Sequence, residues 1–133
     1  MRSLVLVLTV FLSPLGIKAE SVATAPPLAL PVHTPELSPG RVAREARKLP
    51  IVPPLFLIGA DLLSLQWLAR HRERLIELHA VGLLVEAKDW QDLQRVAAAG
   101  QGLRIAPAPA TTLVRQFALR HYPVLLSAEG IEQ

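Results

Sequence analysis

The sequence predicts a small α/β domain over residues 54–133, which follows a signal peptide at residues 1–19 and a proline-rich arm at residues 20–53. Within residues 54–133, short apolar runs that suit buried strands alternate with longer stretches of helical periodicity. Polar residues that favour helix N-caps stand before these stretches, and proline is concentrated in the arm. The resulting order, β-α-β-α-β-α-β, predicts three layers, with parallel strand pairs joined by right-handed crossovers.

Residues 1–19 have the order of a secretory signal peptide. Arg2 supplies a positive start, and residues 4–12 read LVLVLTVFL without a charge. Pro14 then breaks the run before a small residue, Ala19, at a cleavage position. The apolar run is far shorter than the ~20 residues that a membrane span needs. We therefore expect export to the periplasm with cleavage after Ala19, and a membrane association only through an uncleaved signal.

The arm favours extended chain. Eight of the 12 prolines lie between residues 20 and 54, and each fixes its φ angle and lacks an N–H donor. Such a stretch cannot build a helix or a central strand. Two interpretations stay open: a passive spacer, or a docking segment that orders on a partner. A basic cluster in the arm has the composition of a solvated face. Its members are Arg41, Arg44, Arg47 and Lys48.

The first strand and helix of the domain are expected between residues 55 and 79. An apolar run at residues 55–58 ends at Gly59, and Asp61 then provides an N-cap for a helix over 61–79. Apolar residues recur in three-residue steps from Leu62 to Leu68 and again at Leu75 along this helix, which predicts one buried face. That face comprises Leu62, Leu65, Leu68, Leu75 and His79, with Ile76 beside it.

The next unit repeats this pattern. A second buried strand is predicted at residues 81–87, followed by a helix at 90–99 that Asp89 caps and Gly100 ends. The predicted apolar stripe of this helix comprises Trp90, Leu93 and either Val96 or Ala97.

The last units are shorter. A third strand is predicted at residues 103–106, where Pro107 ends it. Thr111 or Thr112 then caps a third helix, and residues 122–126 form the last predicted strand.

Composition and motifs exclude several kinds of chemistry. The chain has no cysteine, which excludes thiolate metal sites, cysteine nucleophiles and disulfide exchange. It carries no glycine-rich phosphate loop and no zinc-protease or serine-hydrolase motif, and its four histidines lack ligand spacing. Eight basic and eight acidic residues balance in residues 54–133, which disfavours nucleic-acid binding. We therefore predict no catalytic residue, no metal and no cofactor.

One alternative keeps a small-molecule site open. Asp61 and Glu86 stand at the ends of two predicted neighbouring strands, and α/β folds bind ligands at the carboxyl edge of the sheet. Together with Pro123 they would form the site of a small periplasmic ligand-binding or enzyme domain. Capping by itself accounts for Asp61, so this interpretation ranks second.

A candidate cis-proline and partner site follows the third helix. There His121, Tyr122 and Pro123 lead directly into an apolar strand. This arrangement resembles the cis-proline segment of thioredoxin-like domains, and the predicted order of strands and helices is compatible with that fold. Because the chain has no cysteine, the resemblance implies a scaffold and not a redox enzyme.

A second resemblance rests on residues 31–40, PVHTPELSPG, and residues 121–133, HYPVLLSAEGIEQ. They resemble a family of proteins encoded on bacterial integrating conjugative elements, and residues 54–59 and 80–85 are similar to its strands. The resemblance implies an exported, non-enzymatic component with an assembly or scaffold role in a type IV secretion (conjugative transfer) apparatus. Its implied partners are other proteins of that apparatus, without direct nucleic-acid contact. The candidate interaction arm comprises Thr34, Pro35, Glu36, Leu37, Ser38, Pro39 and Gly40.

Overall fold

The computed structural model describes residues 30–133, so the predicted signal peptide and residues 20–29 of the arm lie outside the described residues. The strands of the described chain are β1 (Ser38–Pro39), β2 (Glu45–Ala46), β3 (Leu55–Gly59), β4 (Val81–Glu86), β5 (Arg104–Pro107), β6 (His121–Tyr122), β7 (Val124–Ser127) and β8 (Gly130–Glu132). Its helices are α1 (Leu62–Glu77), α2 (Trp90–Ala99) and α3 (Thr111–Phe117). Within residues 30–133, none of the helices has the length and apolar character to span a bilayer.

Six strands form one mixed sheet in the order β2-β8-β7-β3-β4-β5. β3, β4 and β5 are parallel, as the alternation of strands and helices predicts, and α1 and α2 connect them. The parallel pairing stops there, because β7 runs antiparallel to β3 and β8 runs antiparallel to β7. Sequence reasoning missed β8. Only two residues separate the paired Ser127 and Gly130, and so short a loop joins antiparallel strands.

The sheet is buried on both faces. Successive residues of β3 point to opposite sides, so Leu57 belongs to one apolar core, while Phe56 and Ile58 belong to the other. α1 and α2 cover the face of Phe56. α3 and the arm cover the face of Leu57. The protein is therefore a mixed α/β fold with helices on both sides of its sheet, and the predicted α/β class is confirmed.

The predicted start of α1 is confirmed, and its predicted buried face is right only in part, since Leu68 and Leu75 are buried whereas His79 is exposed. Asp61 accepts a hydrogen bond from the Ser64 N–H at 3.0 Å, as an N-cap does. Leu62, in contrast, is 69% exposed. The buried side is formed by Ser64, Trp67, Leu68 and Leu75. A three-residue step falls about 60° short of a full turn, so positions at multiples of three drift around the helix.

α3 begins without the predicted threonine cap. Its N-cap residue is Ala110, whose side chain makes no hydrogen bond. Thr34 of the arm lies there instead, and its Oγ1 accepts from the Ala110 N–H at 3.1 Å. The same hydroxyl donates to the Val85 carbonyl oxygen at 3.1 Å. A residue 76 positions away in sequence thus binds the start of α3, where a local cap was expected.

The described part of the arm belongs to the folded unit. Val32, Leu37 and Leu49 are buried against the α/β domain, and β2 pairs with β8 at the edge of the sheet. The predicted boundary at residue 54 therefore does not separate an independent linker from the domain. Extended chain can dock in this way without forming a helix, because its alternate side chains point towards the core.

Candidate functional site

The two stretches that carry the family resemblance meet at one end of the sheet. β1 pairs in parallel with β6, which places Pro39 beside Tyr122. The Ser38 N–H donates to the Arg120 carbonyl oxygen at 3.1 Å, and the Gly40 N–H donates to the Tyr122 carbonyl oxygen at 3.0 Å. The candidate interaction arm and the candidate cis-proline site are thus one continuous structural element.

The side chain of Gln133 joins the arm to the cis-proline segment by hydrogen bonds. Its Nε2 donates to the carbonyl oxygens of Gly40 at 2.7 Å and of Pro123 at 2.8 Å. Its Oε1 accepts from the Val42 N–H at 3.4 Å. Pro123 is fully buried, and the Tyr122–Pro123 peptide bond is cis. One amide side chain therefore satisfies backbone groups on both the arm and the segment that precedes β7.

Gly40 permits the close approach of the arm. A Cβ at this position would lie 2.7 Å from Nδ1 of His121. That nitrogen lies 3.2 Å from both the hydroxyl and the carbonyl oxygen of Ser38. Any side chain at position 40 would push the imidazole away from its contacts with the arm.

Part of the candidate interaction arm faces inward. Thr34 is fully buried and Leu37 is 6% exposed. The exposed members are Pro35, Glu36, Ser38 and Pro39. A partner protein can therefore contact this outer row, but not the whole stretch from 34 to 40.

Asp61 and Glu86 lie at the carboxyl ends of β3 and β4, and each already has a structural partner. Asp61 caps α1 through Oδ2, while the Gly59 N–H donates to the Ser64 hydroxyl at 2.9 Å. Oε1 of Glu86 lies 2.6 Å from Nδ1 of His33. Oδ1 of Asp61 is buried and has no hydrogen-bond partner within residues 30–133. The alternative ligand site near Asp61 and Glu86 therefore has one unsatisfied polar atom.

Tyr122 connects the cis-proline segment to this carboxyl edge. A Cβ on Gly59 would lie 2.5 Å from Cε1 of Tyr122 and 2.8 Å from Oδ1 of Asp61, so the ring and the carboxyl group flank the same backbone position. Burial, and then the charges of Asp61 and Glu86, raise the pKa of Tyr122 to about 12. The phenol therefore stays protonated at pH values at which an unperturbed tyrosine ionises.

Exposed apolar side chains flank the same edge. Leu62 and Leu63 at the start of α1 are 69% and 43% exposed, and Trp90 at the start of α2 is 57% exposed. The prediction that Trp90 belongs to the buried stripe of α2 is wrong, whereas Val96 of that stripe is fully buried. Both helices begin at this edge because β3 and β4 are parallel neighbours.

Sequence reasoning missed the roles of His33, Thr34 and Gln133. Their partners Glu86, Ala110 and Gly40 lie 53, 76 and 93 positions away in the sequence. No local sequence pattern therefore predicts these contacts. Only the family resemblance pointed to the stretches that contain these residues. In the part of the chain that the structure describes, no group of three or more His, Asp or Glu residues could hold a metal ion.

A family model described as a protein of unknown function, DUF2859, matches residues 15–131. The chain belongs to the DUF2859 family. The match covers the arm, the α/β domain up to residue 131 and the cis-proline segment in one stretch. No curated protein and no solved structure matches the chain.

Tyr122 of this DUF2859 protein is expected to resist ionisation. It is the only tyrosine of the chain, so tyrosinate absorbance reports on it alone. We expect the absorbance step near pH 12 in the native protein and near pH 10 in denaturant. Because the folded state keeps this proton to a higher pH, its contribution to stability is complete below pH 10 and is lost as the pH rises through 12. The loss is on the order of 2 kcal/mol.

The control for this titration is Tyr122→Phe. This variant should lack the loss of folding stability that ionisation of Tyr122 causes at alkaline pH, and it should keep the loss that other titrating groups cause. A native absorbance step near pH 10 would contradict the prediction.

Proposed function

We propose that this DUF2859 protein is an exported, non-enzymatic component of an integrating conjugative element, with an assembly or scaffold role in a type IV secretion apparatus. The signal-like pattern of residues 1–19 and the resemblance carried by residues 31–40 and 121–133 support this setting. The proposed compartment is the periplasm, and the proposed partners are other proteins of the apparatus. The charge balance of residues 54–133 supports a role without direct nucleic-acid contact.

The observation that carries the proposal is the docked arm. β1 pairs with β6, and Gln133 joins Gly40 to Pro123, so the cis-proline segment holds the chain's own arm. Backbone groups that are satisfied within the chain in this way serve to fix a structure. Such a use of the segment supports a scaffold in preference to an enzyme.

We also propose that the scaffold is thioredoxin-like. The β3-α1-β4 unit lies beside the β7–β8 hairpin in one sheet, and a cis-proline immediately precedes β7. The parallel strand β5 and the arm strand β2 extend the sheet on either side of these four strands. The arrangement resembles a thioredoxin-like core that has been enlarged and that lacks the cysteines of redox members.

The exposed side chains at the carboxyl edge support contacts with protein partners. Trp90 and Leu62 are each more than half exposed at neighbouring helix starts. Tryptophan is among the residues that dominate the binding energy of protein interfaces, so an exposed Trp90 at this edge favours a contact with a partner protein.

Affinity purification from the envelope fraction of cells that carry the element tests this proposal. We expect the tagged protein to recover secretion-system subunits, and Trp90→Ala to reduce their recovery by about tenfold, because a central interface tryptophan contributes about 2 kcal/mol or more. Ile76→Ala, which truncates an exposed residue near the other end of α1, is the matched control and should leave recovery unchanged. Recovery of cytoplasmic proteins alone by the native protein would overturn the proposal.

A second candidate is a small periplasmic ligand-binding or enzyme domain that uses the edge near Asp61, Glu86 and Pro123. The unpartnered Oδ1 of Asp61 is the observation in its favour, because a buried carboxylate oxygen without a donor is costly. A metabolite that raises the melting temperature of the native protein but not of Asp61→Asn would favour this candidate over the scaffold.

A further inference from the structure

A groove of about 200 Å³ lies beside the arm. One wall comes from residues 41–43 and Glu45, and the other comes from residues 117–121, which end α3 and lead into β6. Ile131 of β8 lies between them. The groove thus combines three parts of the chain that only the docking of the arm brings together.

The groove has an apolar base and a basic rim. Phe117, Leu119 and Ile131 contribute apolar side chains that are almost completely buried. Arg41 and Arg120 line the groove from opposite walls and are exposed to solvent. A ligand that fits this lining carries negative charge on either side of an apolar group.

The two arginines are not neutralised within the described chain. Glu45 is the acidic residue of the groove, and it lies 2.9 Å from Nε of Arg47, whose guanidinium also stacks over Phe117. Neither Arg41 nor Arg120 makes an ion pair with another residue of 30–133. The groove is therefore positively charged, and carboxylates complement it.

The backbone beside the groove favours an extended ligand. Residues 40–44 belong to no strand, and the following strand, β2, is at the edge of the six-stranded sheet. An edge strand offers one row of N–H and C=O groups to another chain. Because side chains alternate along an extended peptide, acidic groups can face the rim while an apolar group faces the base.

We propose that this groove binds an extended acidic segment of a partner protein, with its carboxylates on Arg41 and Arg120 and an apolar side chain against Phe117. The inference rests on the proposed function and describes the partner of that function by its chemistry. A DNA duplex carries its phosphates on a rigid rod that cannot enter a groove of this size. Binding of a DNA duplex in preference to the peptide would contradict this proposal, and the test includes it.

Fluorescence anisotropy with a labelled peptide of alternating Glu and Val tests the groove on the purified protein. We expect saturable binding to the native protein that weakens as the salt concentration rises. The affinity should fall by about tenfold in Arg41→Glu or Arg120→Glu and by about 100-fold in the double variant. Arg70→Glu is the matched control, since Arg70 is exposed on α1 across the sheet and makes no ion pair with a described residue. This control should bind within about twofold of the native protein.

Three results would overturn the groove proposal: native affinity in the double variant, equal affinity for the corresponding Lys-Val peptide, or tighter binding of a DNA duplex than of the acidic peptide. Circular dichroism and the melting temperature of each variant show that the fold is intact, which is expected because both arginines are exposed. The two proposals fail separately. If the double variant still recovers the envelope partners, the groove proposal alone is wrong. If the native protein binds the peptide but recovers no envelope partners, the proposed conjugative role alone is wrong.

Discussion

Replacing Gly130 with alanine is expected to destabilise the protein by about 3 kcal/mol, a large share of the stability of a domain of this size. Gly130 has a φ of +144°, a conformation that residues with a Cβ rarely adopt. A Cβ there would also overlap the Glu45 carbonyl oxygen and lie 3.1 Å from the Arg47 nitrogen. Both are backbone atoms, so no change of rotamer relieves the contact, and β2 must leave β8.

Gly102→Ala is the matched control for this prediction. Gly102 also has a positive φ, of +93°, but its nearest neighbours are side-chain atoms of Ile76 at 3.5 Å and Arg72 at 3.7 Å. The control therefore reports the cost of the backbone conformation, about 1 kcal/mol, without a clash. Urea unfolding of the two variants and the native protein gives the comparison. Equal losses in the two variants would show that the approach of the arm to Gly130 is not required.

The local elements of the domain could be predicted because their signals lie within a few residues. The apolar run of β3 is followed at once by the Asp61 cap, and the structure has the strand, the cap and α1 in that order. β4 and α2 repeat the arrangement with Asp89 as the cap. Alternation of this kind also predicts parallel pairing, which β3, β4 and β5 show.

The docking of the arm could not be predicted from the same signals. Its prolines exclude a helix, but they do not say whether extended chain stays in solvent or pairs with the domain. What decides this is the fit of Val32, Leu37 and Leu49 into two cores that are assembled from distant segments. A pattern of inward-facing residues in a chain without regular periodicity is not visible before those cores are known.

The candidate site could be located in part. The stretches around Gly40, Tyr122 and Gln133 were singled out by resemblance, and the structure brings them into direct contact. Their contact itself was not predictable, because single hydrogen bonds between residues about 80 to 90 positions apart produce no periodic pattern in the sequence. The exposure of Trp90 was also missed, since an aromatic residue at a helical spacing is ordinarily part of a core.

Thr34→Val is expected to cost about 2–6 kcal/mol, although valine has almost the same shape as threonine. Thr34 is fully buried, and its hydroxyl both donates to the Val85 carbonyl oxygen and accepts from the Ala110 N–H. Valine would bury those two backbone groups without this partner, and each unsatisfied group costs about 1–3 kcal/mol. The start of α3 should fray first, because Ala110 has no side-chain cap of its own.

Thr34→Ser separates the hydroxyl from the methyl group. Serine keeps both hydrogen bonds and loses one buried methyl, which costs about 1 kcal/mol. Chemical unfolding should therefore rank the native protein first, Thr34→Ser second and Thr34→Val last, with amide hydrogen exchange at Val114 fastest in the valine variant. The opposite order of the two variants would mean that packing, and not the hydroxyl, joins the arm to α3. The docking of the arm onto α3 would then rest on the packing of apolar side chains such as Leu37, and the role given to the Thr34 hydroxyl at the start of α3 would be wrong.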